Sequence, residues 1–362
     1  QGLPGDDVAT AIISNPDVLG TAQTDWMDLV TRTGRSQNVD LSIRGGGTGS
    51  RYYTSLAYAD QKGTVLGTDF SRISGKINLD NEITDRIRLI TNLDYGFTKN
   101  NITNGLYSTA LFAPPTFAPF AEDGSPAPFD QASFGLTPER GMQNPMALMK
   151  GKNRSKNNML LAAISLDIDI LKDLKFRSTV SANYNNYHQL NYIPGTALVV
   201  DKTQVSSSKG GIGTQAYSNQ LDMFYENTLT WNKQFHADHR INILAGTSWQ
   251  KTNSNSFSAS GQGFPDDDYL TGLSAAAFAL PPTNAEQQNS LLSFYLRANY
   301  AWKERYLLTF TGRSDESSKY PKGNRTGYFP SVGLAWRLKE EAFLKDISWL
   351  DELKVRVLAV NA

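Results

Sequence analysis

Between residues 291 and 302 the side chains alternate without a break. Leu292, Phe294, Leu296, Ala298, Tyr300 and Trp302 hold the even positions, and Ser293, Tyr295, Arg297 and Asn299 the odd ones. Successive side chains of a strand point to opposite faces, whereas a helix repeats every 3.6 residues, so period two demands a strand with one apolar and one polar face. Lys303, Glu304 and Arg305 make a polar turn, and the alternation resumes with Tyr306, Leu308 and Phe310 against Thr309, Thr311 and Arg313. A polar run over residues 314–325 then separates this hairpin from the strand beginning near Tyr328.

The unit of strand, short turn, strand and long loop recurs. Val39, Leu41 and Ile43 alternate with Asp40, Ser42 and Arg44; Ile73, Ile77 and Leu79 with Arg72, Ser74, Lys76 and Asn78; Ile87, Leu89 and Leu93 with Arg86, Arg88 and Asn92. Further hairpins are expected around the turns at 171–173 and 233–239. Residues 1–36 lack the pattern and are expected to be a loop with one short helix (an extracellular loop, on the family resemblance given below), since Thr24 and Asp25 precede an apolar stripe of Trp26, Leu29 and Val30 that should end near Gly34. Residues 37–362 give about twelve strands. Connections at 45–50, 80–85, 171–173, 233–239 and 303–305 are short, while those at 61–69, 99–156, 185–213, 251–288 and 314–326 are mostly long. The two sets alternate, so short turns gather at one end of the sheet and long loops at the other. The loop at 99–156 is rich in both proline and phenylalanine, which favours a folded surface loop over disorder.

The fold class follows from where the two faces can go. The polar face carries Arg72, Lys76, Arg86, Arg88, Asp167, Asp169, Arg177, Arg297 and Arg313, which need water or each other. A soluble barrel or sandwich would bury its apolar face in a core, and a propeller would repeat at a fixed period near 40 residues, which is absent here. Many strands reach ten residues, the length needed to cross a bilayer at a tilt, and Trp231, Trp249, Tyr300, Trp302, Tyr306 and Trp336 sit at strand ends as an interfacial girdle would. The chain is expected to be all-β: part of a large antiparallel transmembrane β-barrel of the outer membrane, with long extracellular loops and short periplasmic turns.

Other functions lose support. The 35 basic and 35 acidic residues balance, which removes a bulk electrostatic case for nucleic acid. With no cysteine there are no disulfides, thiolate metal sites or cysteine nucleophiles. His236 and His239 share a turn with no third ligand nearby and read as a solvated turn. Asp266, Asp267 and Asp268 lack the spacing of a calcium loop and read as an acidic solvated loop. The glycines at 210, 211 and 213 have no strand-to-helix context for a phosphate cradle. No catalytic residues, metal ligands or cofactor sites are expected.

Several runs resemble SusC/RagA-type TonB-dependent transporters of Bacteroidetes. They are TDWMDLVTRTG at 24–34, VDLSIRGGG at 39–47, RYYTSLAY at 51–58 and GTVLGTDFSRISGKIN at 63–78. The densest set is RYLLT at 305–309, RSD at 313–315, GYFPSV at 327–332 and Trp336 with Arg337, followed by Glu341, Ala342, Phe343 and Trp349. The resemblance implies a barrel of about 22 strands around an N-terminal plug. It makes this chain an internal stretch of that wall, without plug or TonB box. It also implies import of nutrients, most simply oligosaccharides, with a SusD-like surface lipoprotein and TonB as partners. A peptide importer or a passive porin are the alternatives. On this reading Arg72, Arg88, Arg177, Arg297 and Arg313 face the lumen. The loop aromatics Tyr107, Phe112, Phe117, Phe120, Tyr187, Tyr192 and Tyr269 are candidates for contact with a sugar or a lid protein, or for packing loops together.

Overall fold

The computed structural model describes residues 20–127, 143–197 and 210–360. The apolar run at 8–13 and the loop residues Phe129, Phe134 and Lys209 lie outside them.

The strands are β1 (Arg35–Gly46), β2 (Ser50–Lys62), β3 (Asp69–Thr84), β4 (Ile87–Ile102), β5 (Lys152–Leu171), β6 (Leu174–Ile193), β7 (Ile212–Phe235), β8 (His239–Gln262), β9 (Phe278–Ala279), β10 (Thr283–Trp302), β11 (Tyr306–Ser317), β12 (Thr326–Arg337) and β13 (Lys354–Val360). All but β9 form one antiparallel path in chain order, β9 pairing only with the end of β8. Consecutive strands on this path are joined by antiparallel ladders, the last of them only over 331–337 of β12, and β1 and β13 are the edges of the described sheet.

Register confirms the two faces. Phe294, Leu296 and Ala298 stand across from Thr247, Ala245 and Ile243 on one side and from Ser314, Gly312 and Phe310 on the other. The apolar face is the exposed one: Leu41, Leu56, Ile164, Val180, Phe294, Leu334 and Val357 all lie open, with no second layer over them. Such a continuous apolar surface is tolerated when it faces lipid. On β5 the apolar column runs from Ile170 to Leu160, which at about 3.3 Å per residue and a usual barrel tilt gives a band about 25 Å tall. What core there is lies above the sheet. Helices α1 (Trp26–Val30), α2 (Leu106–Phe112) and α3 (Pro145–Leu148) pack Trp26, Val30, Leu106, Ala110, Met146, Ala147 and Leu148 into one buried cluster at the long-loop end.

Asp25 caps α1 as expected, its carboxylate accepting from the Asp28 amide at 3.0 Å. The helix stops at Val30 rather than near Gly34. Leu66 donates its amide to the Val30 carbonyl and Arg32 donates to the Thr64 carbonyl, so the chain is drawn out against the β2–β3 loop.

Two expectations need correction. Strands reach further into the long loops than the alternation indicates: the connections are 103–151, 194–211 and 263–282, not 99–156, 185–213 and 251–288. Above the apolar band both faces are polar, so no alternation marks the strand, yet the backbone ladder continues. Asn158, Asn186, Asn219 and Asn255 are partners across four adjacent strands on the outward face. Second, the short-turn end holds one long connection, 338–353, between β12 and β13. Glu341 fastens it, accepting from the Tyr306 hydroxyl at 2.6 Å, the Trp336 indole N–H at 3.0 Å and Arg305 at 3.1 Å.

Adjacent residues on β5 give the sharpest test of the face assignment. Ile164→Arg places a guanidinium near the middle of the apolar band and should destabilise the folded full-length protein by about 2–4 kcal/mol. Ala163→Arg, on the opposite face, should cost far less. Urea titration in lipid vesicles, read by heat-modifiable electrophoretic mobility, distinguishes them, and equal costs would contradict the assignment.

Candidate functional site

Two regions collect the polar groups of the molecule: the inward face of the sheet and the loop cluster above it. On the inward face most charges are neutralised across neighbouring strands. Asp167 is almost fully buried and takes both arms of Arg177, at 2.5 and 2.7 Å, a fork geometry that satisfies both carboxylate oxygens. Arg88 lies 2.9 Å from Glu82 and 3.5 Å from Asp80, and Lys76 lies 3.2 Å from Asp94. Arg313 bonds Asp315 at 2.8 Å and the Ser293 hydroxyl at 3.0 Å, and its guanidinium lies over the Tyr295 ring. Tyr295 donates to Glu226 at 2.6 Å. Its ring crosses Gly246, where a Cβ would come within 2.4 Å of ring carbons, so only glycine fits there. Arg72 and Arg297 lie on the same face and have no ion pair among the described residues.

Higher on this face the charge thins out. Asn153, Asn157, Asn183, Asn185, Gln189 and Asn191 of β5 and β6 share the inward side with Tyr187, which stands directly across from Asn157 and Ser218. This wall offers amide donors and acceptors with little net charge.

Above it the loops are tied together. Asp267 accepts from the Tyr192 hydroxyl at 2.7 Å, from the Gly195 amide at 2.8 Å and from the Thr196 hydroxyl at 3.0 Å. Burial pushes its carboxyl upward, but these hydrogen bonds outweigh that and hold it below the ordinary carboxylate range. Asp266 accepts from the amides of Tyr269, Leu270 and Asp268, which likewise hold it low. Asp268 takes Lys150 at 3.2 Å. The acidic triplet, with Asp268 exposed to solvent, is therefore also a knot joining the β4–β5, β6–β7 and β8–β10 loops. On the other side, Trp26 donates its indole N–H to the Pro114 carbonyl at 2.8 Å and Thr24 its hydroxyl to Phe117 at 2.6 Å.

The candidate aromatics divide. Tyr192 is fully buried in the knot, edge-on to Phe264, and has no surface for a ligand. Phe117 packs against the helical cluster. Tyr107, Phe112 and Phe120 are exposed around α2, and Tyr269 is 90% exposed on the loop that Asp266 shapes. Tyr187 is on the inward wall, apart from both. The structuring roles of Asp267 and Trp26 were not visible as sites, because their partners lie 72 and 88 residues away in sequence. His236 and His239 do not form a pair: His239 bonds the Tyr300 hydroxyl at 2.7 Å.

Residues 123–356 match the family model described as TonB dependent receptor-like, beta-barrel. The chain belongs to this family. It is 30% identical over 98% of its length to TonB-dependent receptor P3 of Formosa agariphila, and 29% identical over 94% to TonB-dependent receptor SusC of Bacteroides thetaiotaomicron. It spans 36% and 35% of those proteins, about a third of the length of the curated relatives it matches. Among solved structures, the RagAB peptide transporter superposes with a TM-score of 0.76 over 98% of this chain and 42% of that one, at 20% identity. The ferripyoverdine receptor FpvA of P. aeruginosa superposes at 0.53, 13% identity, over 85% and 40%. As a TonB-dependent receptor barrel, the chain is an outer-membrane protein, and its apolar face meets lipid.

The knot predicts an acid dependence. A carboxylate held low in the folded state contributes stability that is fully present above its unfolded pKa, about 3.9, and is lost as pH falls through the lower folded value. Hydrogen-exchange protection of residues 263–272 should therefore stay level from neutral pH to about 5 and fall only in stronger acid. Asp267→Ala should remove about 1–3 kcal/mol of that protection at neutral pH by stranding the buried donors, with β5 and β6 unchanged in the same measurement. Level protection in the variant would show the knot to be dispensable.

Proposed function

We propose that this chain forms part of the wall of an importer that takes up oligosaccharides across the outer membrane, driven through TonB and covered by a SusD-like surface lipoprotein. The observation that carries the reading is the uncharged upper part of the inward wall of β5 and β6. Sugar hydroxyls pair with amides on either side, and a neutral polyol gains nothing from fixed charge. The similarity to SusC over nearly the whole chain supports it. The inward face with Arg72, Arg88, Arg177, Arg297 and Arg313 lines the lumen, where water solvates the two unpaired arginines. Exposed Tyr107, Phe112, Phe120 and Tyr269 give the outer mouth flat apolar surfaces, which suit the C–H faces of sugar rings or the underside of a lid protein. Residues 20–36, clamped onto the loops around them, are an extracellular element of the same mouth.

A second reading, a peptide importer, draws on the likeness to the RagAB peptide transporter, since amide walls also match peptide backbone. In either case the chain positions and passes a cargo and catalyses no covalent step.

Deleting the full-length gene and measuring whole-cell uptake of labelled oligosaccharides and peptides separates these readings. Loss of one oligosaccharide class supports the first, and loss of peptide uptake alone supports the second. Unchanged uptake of all cargoes overturns both. In the full-length protein, Tyr269→Ala and Phe112→Ala should each weaken cargo or lipoprotein binding by about 0.5–1.5 kcal/mol, roughly two- to tenfold in Kd, with no change in folded yield. Binding unchanged in both variants would leave these rings without a role in recognition.

A further inference from the structure

The outward face carries a charge arrangement that the transport reading does not use. Tyr95, Leu160 and Tyr184 are partners on one rung across β4, β5 and β6, and they close the top of the apolar band. Two rungs higher, Lys99 and Lys156 stand directly opposite each other, and His188 follows on β6. Arg154 is on the same face one rung above, across from Asn101. All three cations are exposed. Lys99 bends back so that its ammonium lies 5.5 Å from the centre of the Phe97 ring, which places it on the lipid side. None of the three has an ion pair among the described residues. The acids of that face at this height are Asp69, held by Asn101 at 2.8 Å, and Asp60 on β2. His188 is stacked on Tyr217 at 4.2 Å and its Nε2 has no hydrogen-bond partner.

Like charges directly across a ladder have their Cβ atoms about 5 Å apart and destabilise the sheet. On the inward face the charges that stand close across the ladder are of opposite sign, as at Lys76 with Asp94 and Arg177 with Asp167. A matched pair of lysines left unpartnered is therefore half of an interaction. Four residues along a strand, about 13 Å, separate it from the tyrosine rung, which sets it at the depth of the headgroups of the outer leaflet. There the chemistry that answers two ammonium groups and a guanidinium is a phosphate ester.

We propose that Lys99, Arg154 and Lys156 bind the phosphate ester of a glycolipid headgroup in the outer leaflet. The lipid's chains lie down the apolar column below, over Phe97 and Leu160, and the phosphate neutralises the opposed lysines. The barrel thereby holds one lipid in a fixed place at the base of the loop cluster.

The test uses the purified full-length protein and a triple variant, Lys99→Gln, Arg154→Gln and Lys156→Gln. All three side chains are exposed, so folding should be preserved, and heat-modifiable mobility checks it. Phosphorylated lipid A should be retained through purification by the parent. Retention in the variant should fall by at least about tenfold, the loss of one charge-assisted hydrogen bond or more. Dephosphorylated lipid A should not be retained by either. Displacement of lipid A by millimolar inorganic phosphate would assign the same site to a free phosphate ester. A second readout has an opposite sign: Lys156→Gln alone should raise the Tm in glycolipid-free detergent by relieving the repulsion, and lower it relative to the parent once phosphorylated lipid A is added. Equal retention of lipid A by parent and triple variant, or equal retention of the dephosphorylated form, would overturn the proposal.

Discussion

In hydrocarbon a backbone amide has no partner except another backbone group, and every other feature of this chain follows from meeting that demand. Twelve strands in sequence order are laddered to their neighbours, so the backbone is satisfied wherever a strand is paired on both sides. The side chains are then free to be apolar towards lipid and polar towards the interior. Because the ladder is supplied by the backbone, it does not depend on which side chains it carries. That independence lets strands run on beyond the bilayer into the asparagine- and serine-rich stretches at 185–191 and 251–260.

The same independence explains what could be read from sequence and what could not. Within the bilayer the environment differs sharply on the two faces, and alternation such as Leu292 to Trp302 records it residue by residue. Above the bilayer both faces meet water, Asn158, Asn186, Asn219 and Asn255 occupy positions that leucine or isoleucine would hold lower down, and the strand becomes invisible to a pattern search. The loops follow a third logic. Asp267 and Trp26 each act through partners in other loops, and no local spacing encodes a contact that closes only after the strands have set the loop ends side by side. The cap at Asp25 was legible because both its atoms lie within three residues. The family likeness was legible because runs such as GYFPSV at 327–332 and the Trp336 and Glu341 pair combine strand, girdle and turn in a few positions.

The inward face divides into two zones with different chemistry. Near the short-turn end, charges are locked in pairs, with Asp167 and Arg177 the most enclosed. These pairs cancel each other's charge, while Arg297 on the same rung as Lys175 stays without an ion pair among the described residues. Further up, amides replace charges around Tyr187, and above them two separate structures rigidify the mouth: the helical cluster around Trp26 and Leu106, and the knot around Asp267. With their bases fixed, the exposed rings Phe112 and Tyr269 sit on firm supports.

The asparagine row has a counterpart at the other end of the band, where the rings of Trp302, Tyr306 and Trp336 stack in series along the short-turn rim. Between them the two rows define a waterline and a keel. Any vertical displacement of the wall would drag amides into oil or lift indoles into water, and mismatch of this kind costs fractions of a kcal/mol for each ångström. Multiplied around the circumference, that stiffness lets the wall serve as a stationary datum. The loop cluster that stands on this wall is thereby kept at a set height above the bilayer.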